Sequence, residues 1–552
     1  MDRTSDADVL IVGAGPVGLT LAMDLAQRGL QVVVLESRAY AEPPSVKCNH
    51  VSARTMERFR RLGVAQAVRA AGLPDDYPHD VAFRTAVTGI ELTRIHIPGR
   101  RARAVDHSGP DGWWPTPEPP HRINQIYLEP LLLAHAASQP GVRIVNRVQV
   151  TGFEQDAEGV ALFATALDAP HQPLRLRARY LVGCDGGRSM VRKAIGAQLT
   201  GTPVLMNVQS TFIRAPQLLD AIPGRKAWAF YSVNPRRCGT VFAIDGRQTW
   251  LIHNHLAADE TTETVDRDRS IREILGVDDQ FDYEVLSQED WVARRLVANR
   301  FRDRRAFICG DAAHLWVPYA GYGMNAGIAD ALNLSWCLAA HLHGWADAGM
   351  LDAYQRERLP ITEQVSHFAM NHAAAMSKAR SAVPPNIEAP DIEGGMARAR
   401  MGEEAYALNV QQFCCAGLNF GYYYEDSPVI VYDDETAPGY TMGGFTPSTV
   451  PGCRTPHFWL RDGRSLFDAF GNDYTLLRTR ASTDATALLE AARLRGVPMT
   501  LLDVSGEDLP PEYEHALLLC RPDQHIAWRG QAVPADPLAL VDHLRGALEA
   551  TA

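Results

Sequence analysis

The 552-residue chain lacks the features that mark several classes of protein. Its nine cysteines form neither a C-x-x-C pair nor a spacing typical of zinc ligands, so we expect reduced, mostly buried thiols and no metal site. No apolar run is both long enough and free enough of charge and glycine to span a membrane, and no secretory leader pattern precedes the first one. We therefore expect a cytoplasmic protein without membrane insertion.

Positive charge is also scarce. The 54 lysines and arginines are outnumbered by 65 aspartates and glutamates, which gives a net charge of −11. No basic stripe with interleaved aromatic residues is present either, so we expect no nucleic-acid partner. A chain of this length is long for one hydrophobic core, and two to four structural units are expected.

A nucleotide-binding pattern opens the chain. An apolar strand at residues 9–12 leads into Gly13, Gly15 and Gly18, which complete a G-x-G-x-x-G before a run of apolar residues at helical spacing. A second apolar run ends at Glu36, eighteen residues after the last of these glycines. The glycines would let the backbone approach a pyrophosphate, the helix N-terminus would bind it, and the acid would accept ribose hydroxyls. These residues leave the choice between NAD and FAD open.

Two later stretches repeat the combination of a buried strand, an acid and glycine. One apolar run ends in Asp185-Gly186 before a capped helix start, and another ends in Gly310-Asp311. The Asp311 carboxylate is suited to hold a ribitol hydroxyl. A helix beginning near Gly323 would aim its amides at a neighbouring flavin pyrimidine ring, where they would stabilise negative charge.

With these three stretches, in this order and spacing, the sequence resembles the group A flavoprotein monooxygenases, the aromatic hydroxylases that hold FAD. The resemblance implies that the first motif binds the FAD diphosphate, that the second contacts both FAD and the nicotinamide nucleotide, and that the third holds the ribitol. The cofactor-binding residues that it implies are Gly13, Gly15, Pro16, Val17, Gly18, Glu36, Ser37, Arg38, Lys47, Arg122, Gln125, Asp185, Gly186, Gly310, Asp311, Pro318, Gly321, Gly323, Met324 and Asn325.

The resemblance also implies an α/β fold with an FAD-binding Rossmann-like domain of the glutathione-reductase type. An inserted, mainly antiparallel β-sheet domain would bind the substrate, and a thioredoxin-like domain, similar to that of the phenol-hydroxylase branch, would end the chain. The expected bounds are 1–80, 110–200 and 300–376 for the FAD-binding domain, 81–109 and 201–299 for the substrate domain, 377–445 for a helical and irregular connector, and 446–552 for the thioredoxin-like domain. Because the last domain has no C-x-x-C, we expect it to serve structure or dimer contact and not redox chemistry.

The implied activity is hydroxylation of a small phenolic compound. NADH or NADPH would reduce FAD, O2 would add to give a flavin C4a-hydroperoxide, and the ring would take its distal oxygen. A hydrogen-bonding or basic partner for the phenol is then expected in a dry pocket. In one branch of the family this partner is an acid shortly before an Arg-Thr pair. Counting back from Arg54-Thr55 in this chain reaches Asn49 and His50. His253 and His255 are rival candidates, and Tyr231 is a weaker one. A homodimer is expected from the resemblance.

Several alternatives stay open at this point. Baeyer–Villiger or epoxidising chemistry of a tailoring pathway would begin at the same flavin peroxide. A flavin-fold oxidase or dehydrogenase would not need the Asp185-Gly186 motif, and a binding protein without catalysis would not need all three motifs. For His50, a hydrogen bond within the fold competes with a catalytic role. The arginines on the helix predicted from Ser52 to Leu62, and the pair Arg236-Arg237, are expected mostly to face water.

Overall fold

The computed structural model describes residues 5–103 and 105–547. Residues 1–4, 104 and 548–552, which include the ends of the first and last predicted units, lie outside the described residues. The strands are β1 Ala7–Val12, β2 Val32–Leu35, β3 Val81–Arg84, β4 Glu91–Ile95, β5 Val142–Val145, β6 Val148–Gln155, β7 Val160–Ala166, β8 Pro173–Gly183, β9 Leu199–Arg214, β10 Ala229–Ser232, β11 Gly239–Ala243, β12 Thr249–His255, β13 Glu284–Gln288, β14 Trp291–Ala298, β15 Arg302–Asp303, β16 Ala306–Ile308, β17 His314–Leu315, β18 Tyr474–Arg478, β19 Met499–Asp503, β20 Leu517–Cys520 and β21 Ile526–Gly530. The helices are α1 Pro16–Gln27, α2 Ala53–Arg61, α3 Ala65–Ala70, α4 Gln125–Ala137, α5 Met190–Ala194, α6 Leu218–Ala221, α7 Arg267–Leu275, α8 Tyr322–Leu342, α9 Gly349–Ser381, α10 Ile392–Phe413, α11 Ala416–Phe420, α12 Thr486–Leu494 and α13 Pro537–Leu544.

The first sheet has the order β15-β16-β8-β1-β2-β5, and the β6-β7 hairpin extends it from β8. Strand β1 runs parallel to both β2 and β8 and is buried on both faces, which is why its sequence is an unbroken apolar run. Helix α1 returns over the sheet from the end of β1 and packs against α8. This is the predicted strand, turn and helix of a Rossmann-like nucleotide-binding domain.

The second sheet has the order β17-β14-β9-β12-β11-β10-β3-β4, with β13 also paired to β9. Strand β3 comes from early in the chain and lies parallel to β10, whereas β9 to β12 are antiparallel neighbours. Helix α7 covers one face. Its Ile274 packs so closely on β11 that a Cβ built on Gly239 would lie 2.4 Å from it. The opposite face, which carries the cross-strand neighbours Phe83, Tyr231 and Thr240, is called the inner face below. Helices α9 and α10 cover it, the latter through Phe413, 6.2 Å from Tyr231 between ring centroids.

The third sheet, β19-β18-β20-β21, ends the described chain. Its strands β18 and β19 are parallel and joined through α12, and β20 and β21 are antiparallel neighbours. This is the thioredoxin-like unit that the resemblance implies. None of the helices in residues 5–103 and 105–547 is both long and apolar enough to cross a bilayer.

The loop after β20 enters the FAD-binding part of the fold. Arg521 is fully buried there and donates to both carboxylate oxygens of Glu357 on α9, at 2.6 and 2.7 Å. Arg54 and Arg58 of α2 donate to the carbonyl oxygens of Asp523 and Pro522. The expectation that these two arginines face water is therefore wrong, because the C-terminal loop covers the helix face that carries them.

Candidate active site

Of the three glycines in the turn after β1, only Gly15 has room for a side chain. A Cβ on Gly13 would lie 2.3 Å from the Cys184 carbonyl oxygen, and a Cβ on Gly18 would lie 2.1 Å from the Gly13 oxygen. At Gly15, the N-cap of α1, a Cβ would meet no described protein atom within 4 Å. Backbone packing therefore requires glycine at positions 13 and 18. Gly15 instead borders open space at the helix N-terminus, which is a favourable place for an anion. Pro16 and Val17 begin the helix directly beside this space.

The Glu36 carboxylate, directly after β2, is hydrogen-bonded to several neighbouring groups. The Glu36 carboxylate accepts hydrogen bonds from the Ala14 amide at 2.8 Å and the Arg38 amide at 2.9 Å. Burial opposes ionisation, but the bonds and charge of Arg38 outweigh it and hold the pKa of Glu36 below its ordinary value. The Ser37 hydroxyl also reaches this carboxylate, at 3.3 Å. Glu36 is thus a preformed anionic acceptor beside the glycine turn.

The start of α4 joins these groups through Glu129. Its two carboxylate oxygens accept from Arg38 at 2.7 Å and from the Gln125 amide at 2.8 Å. Arg38 and Gln125, two predicted cofactor residues that lie far apart in sequence, are therefore brought to the same carboxylate. Both side chains keep further donors, which could serve phosphate or ribose oxygens.

The second and third motifs are held together by Arg192. Its guanidinium donates to the Ala312 carbonyl at 3.1 Å and to the Gly187 carbonyl at 3.0 Å. Asp185 uses its carboxylate to cap α5, accepting from the Met190 amide at 2.7 Å. Asp311, by contrast, is solvent-accessible between protein walls that displace much of the surrounding water and raise the pKa of its carboxyl. Of the two motif acids, Asp311 is the one open to a ligand hydroxyl.

The segment before α8 turns at Gly321, where φ is +60° and a Cβ would lie 3.0 Å from the Cβ of His50. Asn325 in the first turn of α8 donates to the Gly321 carbonyl at 2.7 Å and to the His50 carbonyl at 3.1 Å, and accepts from the Ser52 amide at 2.9 Å. Asn325 therefore fixes the His50 segment to the helix N-terminus. At Gly323, a Cβ would meet only the Trp316 indole nitrogen within 4 Å, at 3.6 Å.

Of the remaining predicted residues in this segment, Met324 is buried in the main core and Pro318 is exposed. Gly310 lies under Val17, since a Cβ there would come within 3.1 Å of that side chain. Gly186 has a φ of +72° and open space around it. Gly15, Gly186 and Gly323 thus have open space beside them, whereas Met324 and Gly310 are packed against the protein.

His50 is buried and bonded to a cation. The Arg122 guanidinium donates to its Nδ1 at 2.7 Å, while the same guanidinium lies 4.3 Å from the Trp228 ring centroid. Burial, aided by the Arg122 charge, holds the pKa of His50 well below its ordinary value. Since a guanidinium can only donate, Nδ1 is unprotonated and the neutral ring carries its proton on Nε2. The resemblance implies that Arg122 binds the cofactor. In the structure its side chain lies between His50 and Trp228, which directly precedes β10 of the second sheet.

Two other candidates for the phenol partner, Asn49 and His253, have different surroundings. The Asn49 side chain accepts from Asn124, the N-cap of α4, at 2.5 Å. His253 on β12 stands edge-on to Phe242 and Trp291, with ring centroids 5.7 and 5.8 Å away. Its Nδ1 has no partner among the described residues, and burial lowers the pKa of His253 to about 4. Because His253 pairs with Thr240 across β11 and β12, it lies on the inner face of the second sheet, and both it and Asn49 are half-buried. His50 differs from them in contacting Gly321, at the turn before α8.

Lys47, a predicted cofactor residue, forms an ion pair with Glu289, which lies between β13 and β14. This pair connects the loop before α2 to the second sheet. Sequence reasoning missed the aromatic side chains of this region. Trp316 is stacked on His314 at 4.4 Å, and Trp228 lies 6.2 Å from Phe413. An isolated tryptophan in a loop carries no periodic signal, so only the tertiary fold could identify them.

Two family models and several known proteins match this chain. A family model described as "FAD binding domain" matches residues 6–369, and one described as "Aromatic-ring hydroxylase, C-terminal" matches residues 448–551. Aklavinone 12-hydroxylase RdmE from Streptomyces purpurascens is 32% identical over 96% of this chain and 96% of its own length. Phenol 2-monooxygenase from Pseudomonas sp. (strain EST1001) is 28% identical over 98% of this chain and 93% of its own. The solved structure of the rebeccamycin biosynthetic enzyme RebC with reduced flavin has a TM-score of 0.87, with 33% identity and coverage of 98% and 99% of the two chains.

Proposed function

We propose that this chain, which belongs to the family of FAD-dependent aromatic-ring hydroxylases, hydroxylates a phenolic ring. The proposed reaction consumes NADH or NADPH and O2. One observation carries the proposal. The His50-Arg122 pair links the start of α8 to the aromatic substrate sheet, so a polar group able to bind a phenol oxygen stands between the cofactor region and an aromatic wall.

The residues present fit FAD. The open space at Gly15 would take the pyrophosphate, Glu36 the adenosine ribose and Asp311 the ribitol chain. The α8 N-terminus, held by Asn325, would face the pyrimidine ring. Bound FAD supplies the chemistry that side chains lack, which is to take electrons from the nicotinamide cofactor and activate O2.

We assign His50 the role of a hydrogen-bond donor and not that of a base. With Nδ1 occupied by Arg122, its Nε2–H can donate to a phenol oxygen, which favours the phenolate form of the substrate. A phenolate is the more electron-rich nucleophile for an electrophilic oxygen. The fixed positive charge of Arg122 behind the ring acts in the same direction, and the Trp228 wall excludes water that would weaken both effects.

The similarity to a phenol 2-monooxygenase over nearly the whole chain supports a phenolic substrate. The assay compares naphthols and phenols with their methyl ethers, which have the same ring but no ionisable hydroxyl. The FAD-loaded protein is given NADH or NADPH under air, and cofactor oxidation, hydrogen peroxide and product mass are followed together.

We expect one phenol to accelerate cofactor oxidation with little peroxide release, to gain one oxygen atom, and to carry label when 18O2 is used. Its ether should fail to do so. If no phenol accelerates oxidation, or if all electrons appear as peroxide, the phenol assignment is wrong. Oxygen insertion into cyclic ketones would then indicate Baeyer–Villiger chemistry.

A further inference from the structure

The arginines that pack around the substrate sheet are mostly neutralised. Arg237 pairs with Glu260 at 2.8 Å, and Arg236 and Arg295 form ion pairs with Glu388 and Glu363. Arg236 is exposed, as expected for this turn, and Arg237 is half-buried, but both guanidinium groups pair with carboxylates of the protein. These ion pairs leave no free charge for a ligand at that turn.

Arg380, in the last turn of α9, differs from them. Its guanidinium donates to the Tyr319 hydroxyl at 3.3 Å and reaches the Met206 sulfur, a weak acceptor, also at 3.3 Å. Among the described residues, no carboxylate oxygen lies within 4.0 Å of it. The side chain is half-buried, so water offers only partial compensation for its charge.

The position of Arg380 is at the same domain junction as His50. Tyr319 belongs to the turn that leads into α8, and Met206 lies on β9 of the substrate sheet. Phe413 connects the inner face to Arg122, since its ring centroid lies 6.2 Å from that of Tyr231 and 6.0 Å from the Arg122 guanidinium. Burial raises the pKa of Tyr231, and the charges of both Arg380 and Arg122 oppose that rise. Arg122 and Arg380 therefore both lie near aromatic side chains of this junction, and neither forms an ion pair with a carboxylate of the described residues.

We propose that Arg380 binds an anionic group of the aromatic substrate, such as a carboxylate, while the reacting hydroxyl lies at His50 and Arg122. This inference rests on the proposed function and narrows the substrate class to acidic phenols. A guanidinium presents two parallel donors to a carboxylate, and such charge-assisted bonds are the strong ones in a partly desolvated site. Tyr319 would add a hydroxyl beside the same oxygen atoms.

The test uses binding without turnover. The FAD-loaded protein, without NAD(P)H, is titrated with 3-hydroxy-2-naphthoate and with its neutral amide, and with salicylate and salicylamide, while the flavin absorbance is followed. Arg380→Met removes the charge at similar length, Arg380→Lys keeps the charge without the fork, and Arg236→Met is the matched control on an arginine already paired to Glu388.

We expect at least one acid to bind about tenfold more tightly than its amide. Arg380→Met should remove that preference with less than about a twofold effect on the amide, Arg380→Lys should restore part of it, and Arg236→Met should leave it unchanged. Equal binding of acid and amide, no binding of either pair, or an equal loss for both ligands in Arg380→Met would overturn the inference. A protein that prefers the acid but hydroxylates no phenol would instead contradict the proposed function alone.

Discussion

Replacing Arg521 by methionine should destabilise the whole protein far more than an ordinary arginine substitution. The guanidinium is fully buried, and besides Glu357 it bonds to Asp523 at 2.6 Å and lies 4.7 Å from the Trp336 ring centroid. Methionine fills a similar space but leaves two buried carboxylates without their cation. Breaking a buried ion pair by removing one partner costs about 3–5 kcal/mol.

That cost can be converted into a melting temperature. For a unit of 150–250 residues, each kcal/mol shifts the midpoint by about 2–4 °C, so Arg521→Met should melt roughly 6–20 °C below the parent protein. The matched control is Arg461→Met in the same C-terminal unit. Arg461 and its partner Asp508 are both exposed, so this change should cost about 0–1 kcal/mol.

Guanidinium denaturation and thermal melts of both variants, followed by far-UV circular dichroism and by flavin release, measure the effect. The double variant Arg521→Met with Glu357→Met should lose less than the sum of the two single changes, because it removes one of the two orphaned carboxylates. A loss below about 1 kcal/mol in Arg521→Met would refute the reasoning, since the protein would then tolerate two unpaired buried charges.

Further predictions concern the cofactor, the substrate and pH. Gly15→Ala should leave the stability of the apoprotein within about 0.5 kcal/mol but weaken FAD binding at least about tenfold in a fluorescence titration, whereas Gly18→Ala, whose Cβ overlaps the Gly13 oxygen, should cost about 1–3 kcal/mol. His50→Phe should lower kcat/KM for a phenol by about 10–100-fold and leave FAD content unchanged; an equal loss of FAD would assign His50 to cofactor binding. The half-buried His457, with a pKa of about 4, binds a proton only in the unfolded chain between pH 6.5 and 4, so thermal stability should be full above pH 6.5 and fall toward pH 4. His457→Gln should flatten that fall, and an unchanged slope would contradict it.

The sequence predicts those parts of the molecule whose causes are local. The apolar strand, the three glycines and the periodic apolar helix are neighbours in sequence, and they match β1, the turn and α1. The ion pairs and hydrogen bonds across the fold are not local. His50 meets Arg122 only through a contact 72 residues apart, and Arg54 is buried by a loop 469 residues away. No periodicity in α2 could show that its charged face would be covered.

Helix α2 connects the thioredoxin-like unit to the segment that carries His50. The helix starts at Ser52, whose amide is bound by Asn325 at the α8 N-terminus, and its next turns donate from Arg54 and Arg58 to carbonyl oxygens of the C-terminal loop. Arg521 fixes that loop to α9. The segment carrying His50 is thus held from one side by the cofactor domain and, through α2, from the other by the C-terminal unit. Since a buried hydrogen-bond network permits few alternative arrangements, we expect that shortening Arg54 or Arg58 would loosen the segment that carries His50 as well as the C-terminal loop.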